Sequence, residues 1–178
     1  MTLPDLAAGL RRGAWLTRSR IRTYASICVA IYAAMIIFAV ATGHAGVDRL
    51  GRPVGTDFSS FWVAGRSALA GHPDQPYNPA LQAAAERAAF PASSELADGS
   101  RFYSFAYPPF FLLLLAPLAL LPYLMALLAW LATTLALYAG LMWRILPRVE
   151  ALLAALAFPA VMITLGHGQN AFLTAALL

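Results

Sequence analysis

Residues 55–77 read GTDFSSFWVAGRSALAGHPDQPY, and the rest of the chain is organised around them. The stretch combines one central acid, Asp57, with aromatic side chains, glycines and Arg66. A long apolar run precedes it, and a second apolar region fills most of the chain that follows. We therefore interpret the two apolar regions as the support for a polar stretch that carries the chemistry.

The composition indicates which solvent surrounds the chain. Of its 178 residues 61% are hydrophobic and only 11% are charged, whereas an ordinary globular domain has about 25% charged residues. The mean hydropathy is +0.69. These values predict an all-α integral membrane protein. A single cysteine, Cys28, excludes an intrachain disulfide.

The basic residues are distributed as in a protein that is oriented in a membrane. All twelve are arginines, and five of them, at positions 11, 12, 18, 20 and 22, precede the first apolar run. This asymmetry places the N-terminus in the cytoplasm. It is not the footprint of a nucleic-acid-binding surface, so we expect the bilayer and no nucleic acid as a partner.

The first two segments follow from this orientation. Residues 1–22 form a cytoplasmic N-terminal lead, and residues 23–42 form the first transmembrane helix, because about 20 apolar residues span the hydrocarbon core. A cleaved signal peptide is the alternative, but its apolar part has only about 7–15 residues. The segment after the helix is therefore extracytoplasmic.

Residues 43–104 are predicted to be a long extracytoplasmic loop that carries interfacial helices. The loop holds six of the eight acids of the chain. One helix begins near Phe58 and turns its apolar face to the membrane surface, until residues 71–73 break it. A second helix spans residues 79–89, with proline at its first position and Glu86 and Arg87 on the solvent side.

Residues 105–178 contain further transmembrane segments. Apolar runs cover residues 110–121, 124–143, 151–165 and 171–178. Eight apolar residues cannot span about 30 Å of hydrocarbon, so we expect this chain to be the N-terminal part of a longer protein.

The topology of this region stays open at the level of sequence. Alternate crossings would place Arg144 and Arg148 outside, against the preference of arginine for the cytoplasm. Either these arginines face phosphates outside, or residues 110–121 do not cross fully. The segments beside GHGQN, residues 166–170, are alternatively half-helices that meet within the membrane.

Asp57 is the candidate general base. A carboxylate packed against Phe58, Phe61 and Trp62 at a membrane interface loses hydration, which favours its protonated form and suits it to take a proton from a hydroxyl. The alternative role is structural, since aspartate is a preferred N-cap residue of helices.

Other side chains are candidates for binding a ligand, each with a structural alternative. Arg66 can bind a phosphate or extend along the membrane surface. His72 and Asp74 can bind a sugar or phosphate, or simply form a turn. A stacking wall for a sugar, or an ordinary interfacial aromatic belt, would be formed by Trp62, Tyr77, Tyr103 and Tyr107.

The GHGQN stretch places His167, Gln169 and Asn170 between two apolar segments. Such residues are costly in a membrane unless they face a polar cavity, so they are binding candidates unless the stretch is a surface loop. His44, His72 and His167 lack the spacing of metal ligands. We therefore predict neither a metal nor another cofactor.

Several motifs, taken in order, resemble a known family. They are Gly55-Thr56-Asp57-Phe58, Phe61-Trp62-x-Ala64-Gly65, Ala68-Leu69-x-Gly71, Tyr77, Tyr107-Pro108-Pro109 and Gly168-Gln169-Asn170. This set is similar to the polyprenol-phosphate-mannose-dependent mannosyltransferases of glycosyltransferase family 87, which belong to the GT-C superfamily of multi-helix membrane proteins. The resemblance runs from about residue 20 to the end of the chain.

The resemblance implies an inverting transfer of a sugar, typically mannose, from a polyprenyl-phosphate donor to a hydroxyl of a lipid or glycan acceptor. It implies a multi-pass protein of the inner (plasma) membrane with an extracytoplasmic active site and Asp57 as catalytic base. We expect the substrates to contact Arg66, His72, Tyr77, Tyr107, His167, Gln169 and Asn170. A non-catalytic membrane fragment or subunit, or a transporter component, is the alternative function.

Overall fold

The computed structural model describes residues 16–97 and 101–178. Within these residues the chain is helical, with isolated bridge pairings but no β-strand. The predicted all-α fold class is confirmed. The helices are α1 (Arg18–Thr42), α2 (Thr56–Leu69), α3 (Pro79–Ala89), α4 (Phe111–Ala119), α5 (Tyr123–Ile145), α6 (Val149–Leu156), α7 (Pro159–His167) and α8 (Ala171–Leu177). Most of the predicted cytoplasmic lead, with Arg11 and Arg12, lies outside the described residues.

Helix α1 begins five residues before the predicted start at residue 23. The Thr17 hydroxyl caps it by accepting a hydrogen bond from the Arg20 backbone N–H at 3.3 Å. Arginine is a good helix former, so the helix extends from the apolar run back through the basic residues. Among the described residues, α1 and α5 are each long and apolar enough to cross a membrane.

Helices α6 and α7 form a bent pair. Their axes differ by 55° at a short break, and together they would make a third span if they cross as one unit. Pro159 is the first residue of α7, where its missing N–H costs nothing. The Tyr32 hydroxyl of α1 donates a hydrogen bond to the Ala157 carbonyl at this break, at 3.0 Å.

One ion pair joins the start of α1 to the start of α6. Arg22 Nη2, near the start of α1, lies 2.7 Å from Glu150 Oε1, near the start of α6. The N-terminal end of α1 therefore lies beside the end of α5, which contains Arg144, and the short connection after it, which contains Arg148. Helix α4 has nine residues and rises about 14 Å. It is thus too short to cross about 30 Å of hydrocarbon.

Helix α2 lies at the centre of the fold. Ten of its fourteen residues are buried, and Phe58 and Phe61 are 0% and 1% exposed. The Phe61 ring makes edge-to-face contacts with Tyr107, Phe111 and Trp130 at centroid distances of 5.0, 5.6 and 6.0 Å. The prediction that this apolar face rests on the membrane surface is wrong, because protein covers it.

Helix α2 approaches α4 closely at Gly65. A Cβ atom at this position would lie 2.8 Å from the Leu115 carbonyl oxygen and 2.9 Å from the Ala119 Cβ. Only glycine allows the two backbones to meet in this way. The Trp62 indole N–H fixes the same contact by donating to the Leu121 carbonyl at 3.0 Å.

Helix α3 has the predicted bounds, but one of its faces differs from the prediction. The Asn78 side chain caps its first turn. Glu86, predicted to face solvent, is 0% exposed. Its carboxylate accepts hydrogen bonds from Gln82 Nε2, at 3.1 Å, and from the Tyr103 backbone N–H, at 2.8 Å. The prediction for Glu86 was wrong because the residue that covers it, Tyr103, belongs to a later segment of the chain.

We expect Gly65→Ala to lower the free energy of unfolding by about 1–3 kcal/mol, since the added methyl group overpacks the contact with α4. Gly140→Ala in α5 is the matched control. No atom of the described residues lies within 4 Å of the Cβ added there, so this variant should be neutral or more stable by up to about 1 kcal/mol. Thermal unfolding in detergent micelles measures both. Equal behaviour of the two variants would contradict the close contact.

Candidate functional site

The first turn of α2 presents Asp57. Gly55 precedes the helix with φ +77°, a conformation that glycine adopts without strain. Thr56 and Asp57 are the first two helical residues, so Gly55 and not Asp57 is the N-cap. The alternative capping role of Asp57 is therefore wrong. Its carboxylate lies in the first turn of α2, at the end of the helix where the backbone N–H groups have no intrahelical partner.

The Asp57 carboxylate has no partner in the described part of the chain. Its side chain is half-buried and makes neither a hydrogen bond nor an ion pair within residues 16–97 and 101–178. Its backbone carbonyl accepts a hydrogen bond from the Ser60 hydroxyl at 2.8 Å. The carboxylate oxygens are thus free to accept a proton or a hydrogen bond from a ligand.

The GHGQN turn packs against this end of α2. Helix α7 ends at His167, and Gly168 takes φ +70°. The backbone N–H groups of Gly168 and Gln169 both donate to the Thr164 carbonyl, at 2.9 and 3.1 Å, which closes the helix end. A Cβ atom at Gly168 would lie 2.5 Å from the Phe58 Cβ. Glycine is required here both for its conformation and for its size.

Two further contacts fix the GHGQN turn. The Trp130 indole N–H donates to the Gly168 carbonyl at 3.1 Å and is buried. His167 Nδ1 lies 2.7 Å from Thr56 Oγ1. The second contact joins residues that are 111 positions apart in the sequence, and it places His167 beside the residue that precedes Asp57. The start of α2 and the GHGQN turn, which are far apart in the sequence, therefore lie side by side.

Tyr107 borders the same site. Its ring stacks on Phe111 at 4.8 Å and meets the edge of Phe61. Burial raises the pKa of the Tyr107 hydroxyl, and the nearby negative charge of Asp57 raises this pKa further. Tyr107 is therefore close to Asp57, and at neutral pH its hydroxyl stays protonated and able to donate a hydrogen bond.

The predicted aromatic wall is only partly present. Tyr77 is next to Tyr107, since its hydroxyl donates to the Tyr107 carbonyl at 3.0 Å. Tyr103 is half-buried, and its hydroxyl donates to Glu95 Oε2 at 3.1 Å. Trp62 is 7% exposed and packs on Tyr123 in the core. Trp62 therefore serves the fold and not a stacking surface.

Arg66 and His72 are not brought to Asp57. Arg66 lies nine residues further along α2, a rise of about 13 Å. It is exposed, and its guanidinium carbon lies 4.9 Å from the centre of the Trp62 ring. His72 is exposed in the turn after α2, where its carbonyl accepts a hydrogen bond from the Gln75 N–H at 3.2 Å.

A cavity of about 210 Å³ adjoins the pair formed by His167 and Thr56. Its polar lining includes Asp48 and Arg52, which form an ion pair at 3.1 Å. Its apolar lining comes from α1 and α7, namely Met35, Ile36, Ala39 and Met162. Sequence reasoning missed Asp48 and Arg52. The sequence signal available for them was an acid and an arginine in the glycine-containing stretch directly after the first apolar run.

Among residues 16–97 and 101–178, no three side chains of histidine, cysteine, aspartate or glutamate come together in a group that could hold a metal ion. The polar groups at this end of α2 are the paired side chains of Thr56 and His167 and the hydroxyl of Tyr107, which the charge of Asp57 affects.

We expect Gly168→Ala to separate the GHGQN turn from α2. Alanine is disfavoured at φ +70° and its methyl group would collide with Phe58, so the free energy of unfolding should fall by more than about 2 kcal/mol. Gly166→Ala is the control, because a Cβ there meets no atom within 4 Å. Unfolding followed by tryptophan fluorescence is a suitable measurement, since Trp130 contacts Gly168. An unchanged midpoint in Gly168→Ala would contradict the contact.

A comparison with models of protein families gives a match over residues 105–178. Neither the curated proteins nor the solved structures contain a match to the chain. The matched segment is less than half of the chain and contains α4 to α8, Tyr107 and the GHGQN turn, while Asp57 precedes it. The match supports a glycosyltransferase. Residues 105–178 match the family model of glycosyltransferase family 87.

Proposed function

We propose that this protein is a membrane glycosyltransferase of the inverting, GT-C type. It transfers a sugar, mannose according to the resemblance, from a polyprenyl-phosphate carrier to a hydroxyl of a lipid or glycan acceptor. Asp57 is the general base. The family match over residues 105–178 supports the reaction class.

One contact carries the proposal, namely the 2.7 Å distance between His167 Nδ1 and Thr56 Oγ1. His167 belongs to the segment that matches the glycosyltransferase family, whereas Asp57 does not. The contact joins the first turn of α2 to that segment. It therefore supports an assignment of Asp57 to the same site as the matched residues.

We further propose that the site faces the extracytoplasmic side of the inner membrane. The ion pair between Arg22 and Glu150 groups Arg144 and Arg148 with the arginines at the start of α1. The preference of arginine for the cytoplasm then assigns this whole end of the bundle to the inside. Helix α4 is too short to cross, so α1 and α5 are successive spans and Asp57 lies at the outer end.

In the proposed reaction Asp57 takes the proton from the acceptor hydroxyl as its oxygen attacks the anomeric carbon of the donor sugar. The bond between that carbon and the carrier phosphate breaks, and the phosphate leaves with the electron pair. Attack from the face opposite the phosphate inverts the anomeric carbon. The unpaired Asp57 carboxylate supports this role, because a general base must reach its proton directly.

The remaining site residues are proposed to bind the substrates. Tyr107 and Tyr77 form an aromatic edge beside Asp57 on which a sugar ring can stack. Gln169 and Asn170 offer amide groups at the turn, and His167 has one ring nitrogen left for a ligand. We propose no contact of Arg66 or His72 with the reacting atoms, because both are at the opposite end of α2.

We expect Asp57→Asn to reduce the transfer rate at least about 100-fold, since a general base contributes about 10²–10⁴-fold. The assay follows labelled mannose from polyprenyl-phosphate mannose into lipid or glycan in membranes that contain the protein. Asp74→Asn, in the exposed turn after α2, is the control and should keep full activity. Unfolding midpoints show whether both variants fold.

Equal activity of Asp57→Asn and the wild type would refute the assignment of the base. Absence of transfer by the wild type with this donor would instead favour a non-catalytic subunit.

We also expect transfer to persist after treatment with a chelator. The leaving group is already a phosphate ester, and a basic side chain or the N-terminus of a helix can stabilise its charge. The measurement is the rate before and after EDTA treatment, with added Mg²⁺ and Mn²⁺ as the reversal. Complete loss of activity on chelation, restored by a metal, would overturn this expectation.

A further inference from the structure

Glu86 is a buried acid that the proposed reaction does not use. It is 0% exposed on the face of α3 that meets α2 and the extended segment 101–107. In the described part of the chain it is the one acidic or basic side chain among the buried polar residues. A buried charge of this kind is costly unless it is paired.

Within the described residues, no positive charge balances Glu86. The ion pairs of the described residues join Arg22 to Glu150, Arg52 to Asp48 and Arg101 to Glu95. In the part of the chain that the structure describes, the donors to Glu86 are two neutral groups, the Gln82 amide N–H and the Tyr103 backbone N–H. The geometry is that of a carboxyl group held by hydrogen bonds without a counter-ion.

The small cluster of polar groups around Glu86 also contains one hydrogen-bond acceptor that lacks a donor among the described residues. Gln82 Oε1 is buried and has no hydrogen-bond partner among residues 16–97 and 101–178. An ionised Glu86 can only accept hydrogen bonds, so it cannot supply the missing donor. A proton on Glu86 adds one donor to the cluster.

Burial raises the pKa of Glu86 to about 7, although the hydrogen bonds from Tyr103 and Gln82 act in the opposite direction. Tyr103 and Tyr123 face Glu86 from segment 101–107 and from α5. The charges of Glu95 and Arg52, which lie in the connecting segments near Tyr103, affect the Tyr103 hydroxyl.

The remaining charges nearby do not face Glu86. On α3 itself the neighbouring charge is Arg87, which is half-exposed. The charged residues of α2 point elsewhere, because Asp57 lies beside Tyr107 and Arg66 covers Trp62.

We propose that Glu86 is a latch that holds segment 101–107 against α3 in its protonated form and releases this segment when it ionises. The Tyr103 N–H is the point of attachment. The same segment ends at Tyr107, which borders Asp57. Glu86 is therefore a positioning residue for the site. The latch itself follows from the buried cluster, and only its effect on sugar transfer rests on the proposed function.

The direction of the pH dependence follows from proton linkage. With segment 101–107 closed, Glu86 binds its proton more tightly than an exposed glutamate does. Between the ordinary pKa of about 4.3 and about 7, the closed form is therefore protonated and the open form is not. Closure weakens as the pH rises through this range and changes no further above it.

Hydrogen–deuterium exchange of a peptide that covers residues 101–107 tests the latch. The full chain is measured in nanodiscs from pH 5 to pH 8, with rates corrected for intrinsic exchange. In the wild type the protection of the Tyr103 amide should fall roughly 100-fold over this range, since each unit of pKa shift is tenfold in the equilibrium. Glu86→Gln carries no titrating group, so its profile should be flat.

Glu95→Gln is the matched control, because Glu95 contacts the same segment through the Tyr103 hydroxyl and Arg101. This variant should keep the wild-type pH profile. A flat profile in the wild type, or an equal slope in Glu86→Gln, would overturn the latch. If Glu86→Gln does not fold, the infrared band of a protonated carboxyl decides in the wild type. The band should disappear near pH 7, and its absence at pH 5 would refute the proposal.

The exchange measurement is independent of catalysis. Asp57→Asn should show the wild-type exchange profile, because Asp57 does not contact Glu86. A protein with the predicted exchange profile but no sugar transfer would refute the proposed function alone. A protein that transfers sugar but has a flat profile would refute the latch alone.

Discussion

The burial of Phe58 is the interaction on which the rest of the structure depends. Its ring lies between 5.9 and 6.2 Å from the rings of Phe61, Tyr123 and Trp130. Its Cβ is in direct contact with the backbone of Gly168. One side chain thus joins α2 to α5 and to the GHGQN turn. Full burial of a phenylalanine contributes about 1.5–3 kcal/mol, and here the same burial also sets the position of Asp57, the preceding residue.

Local sequence signals predicted those parts of the fold that local interactions determine. Pro79 marks the first turn of α3 and an uninterrupted apolar run marks α5. Glu86 was predicted on the wrong side of α3 because an acid next to Arg87 ordinarily faces water. Glu86 instead lies inside the protein, where it accepts a hydrogen bond from the backbone N–H of Tyr103, seventeen residues later in the chain. No periodicity within α3 contains that information.

The candidate site was predictable as a set of residues but not as a geometry. Asp57 and the GHGQN residues were selected because polar groups near apolar segments are costly. That they meet depends on Gly168, whose missing side chain lets the turn reach α2. Arg66 and Asp57 lie on the same helix, but at opposite ends of it. Hydropathy alone likewise could not predict which segments lie at the same end of the protein. The ion pair between Arg22 and Glu150 brings the starts of α1 and α6 together.

The acidic side chains differ in whether they have a partner in the fold, and this difference distinguishes a structural role from a chemical one. Asp48 and Glu95 are each paired with an arginine, and Glu86 is enclosed by two donors. Each of these carboxyl groups holds a segment of the loop in place. Asp57 differs, because it is half-buried at the start of the most enclosed helix and has no partner within the described residues. A carboxylate that contributes no bond to the fold, in a position that the fold defines so closely, is available for a ligand.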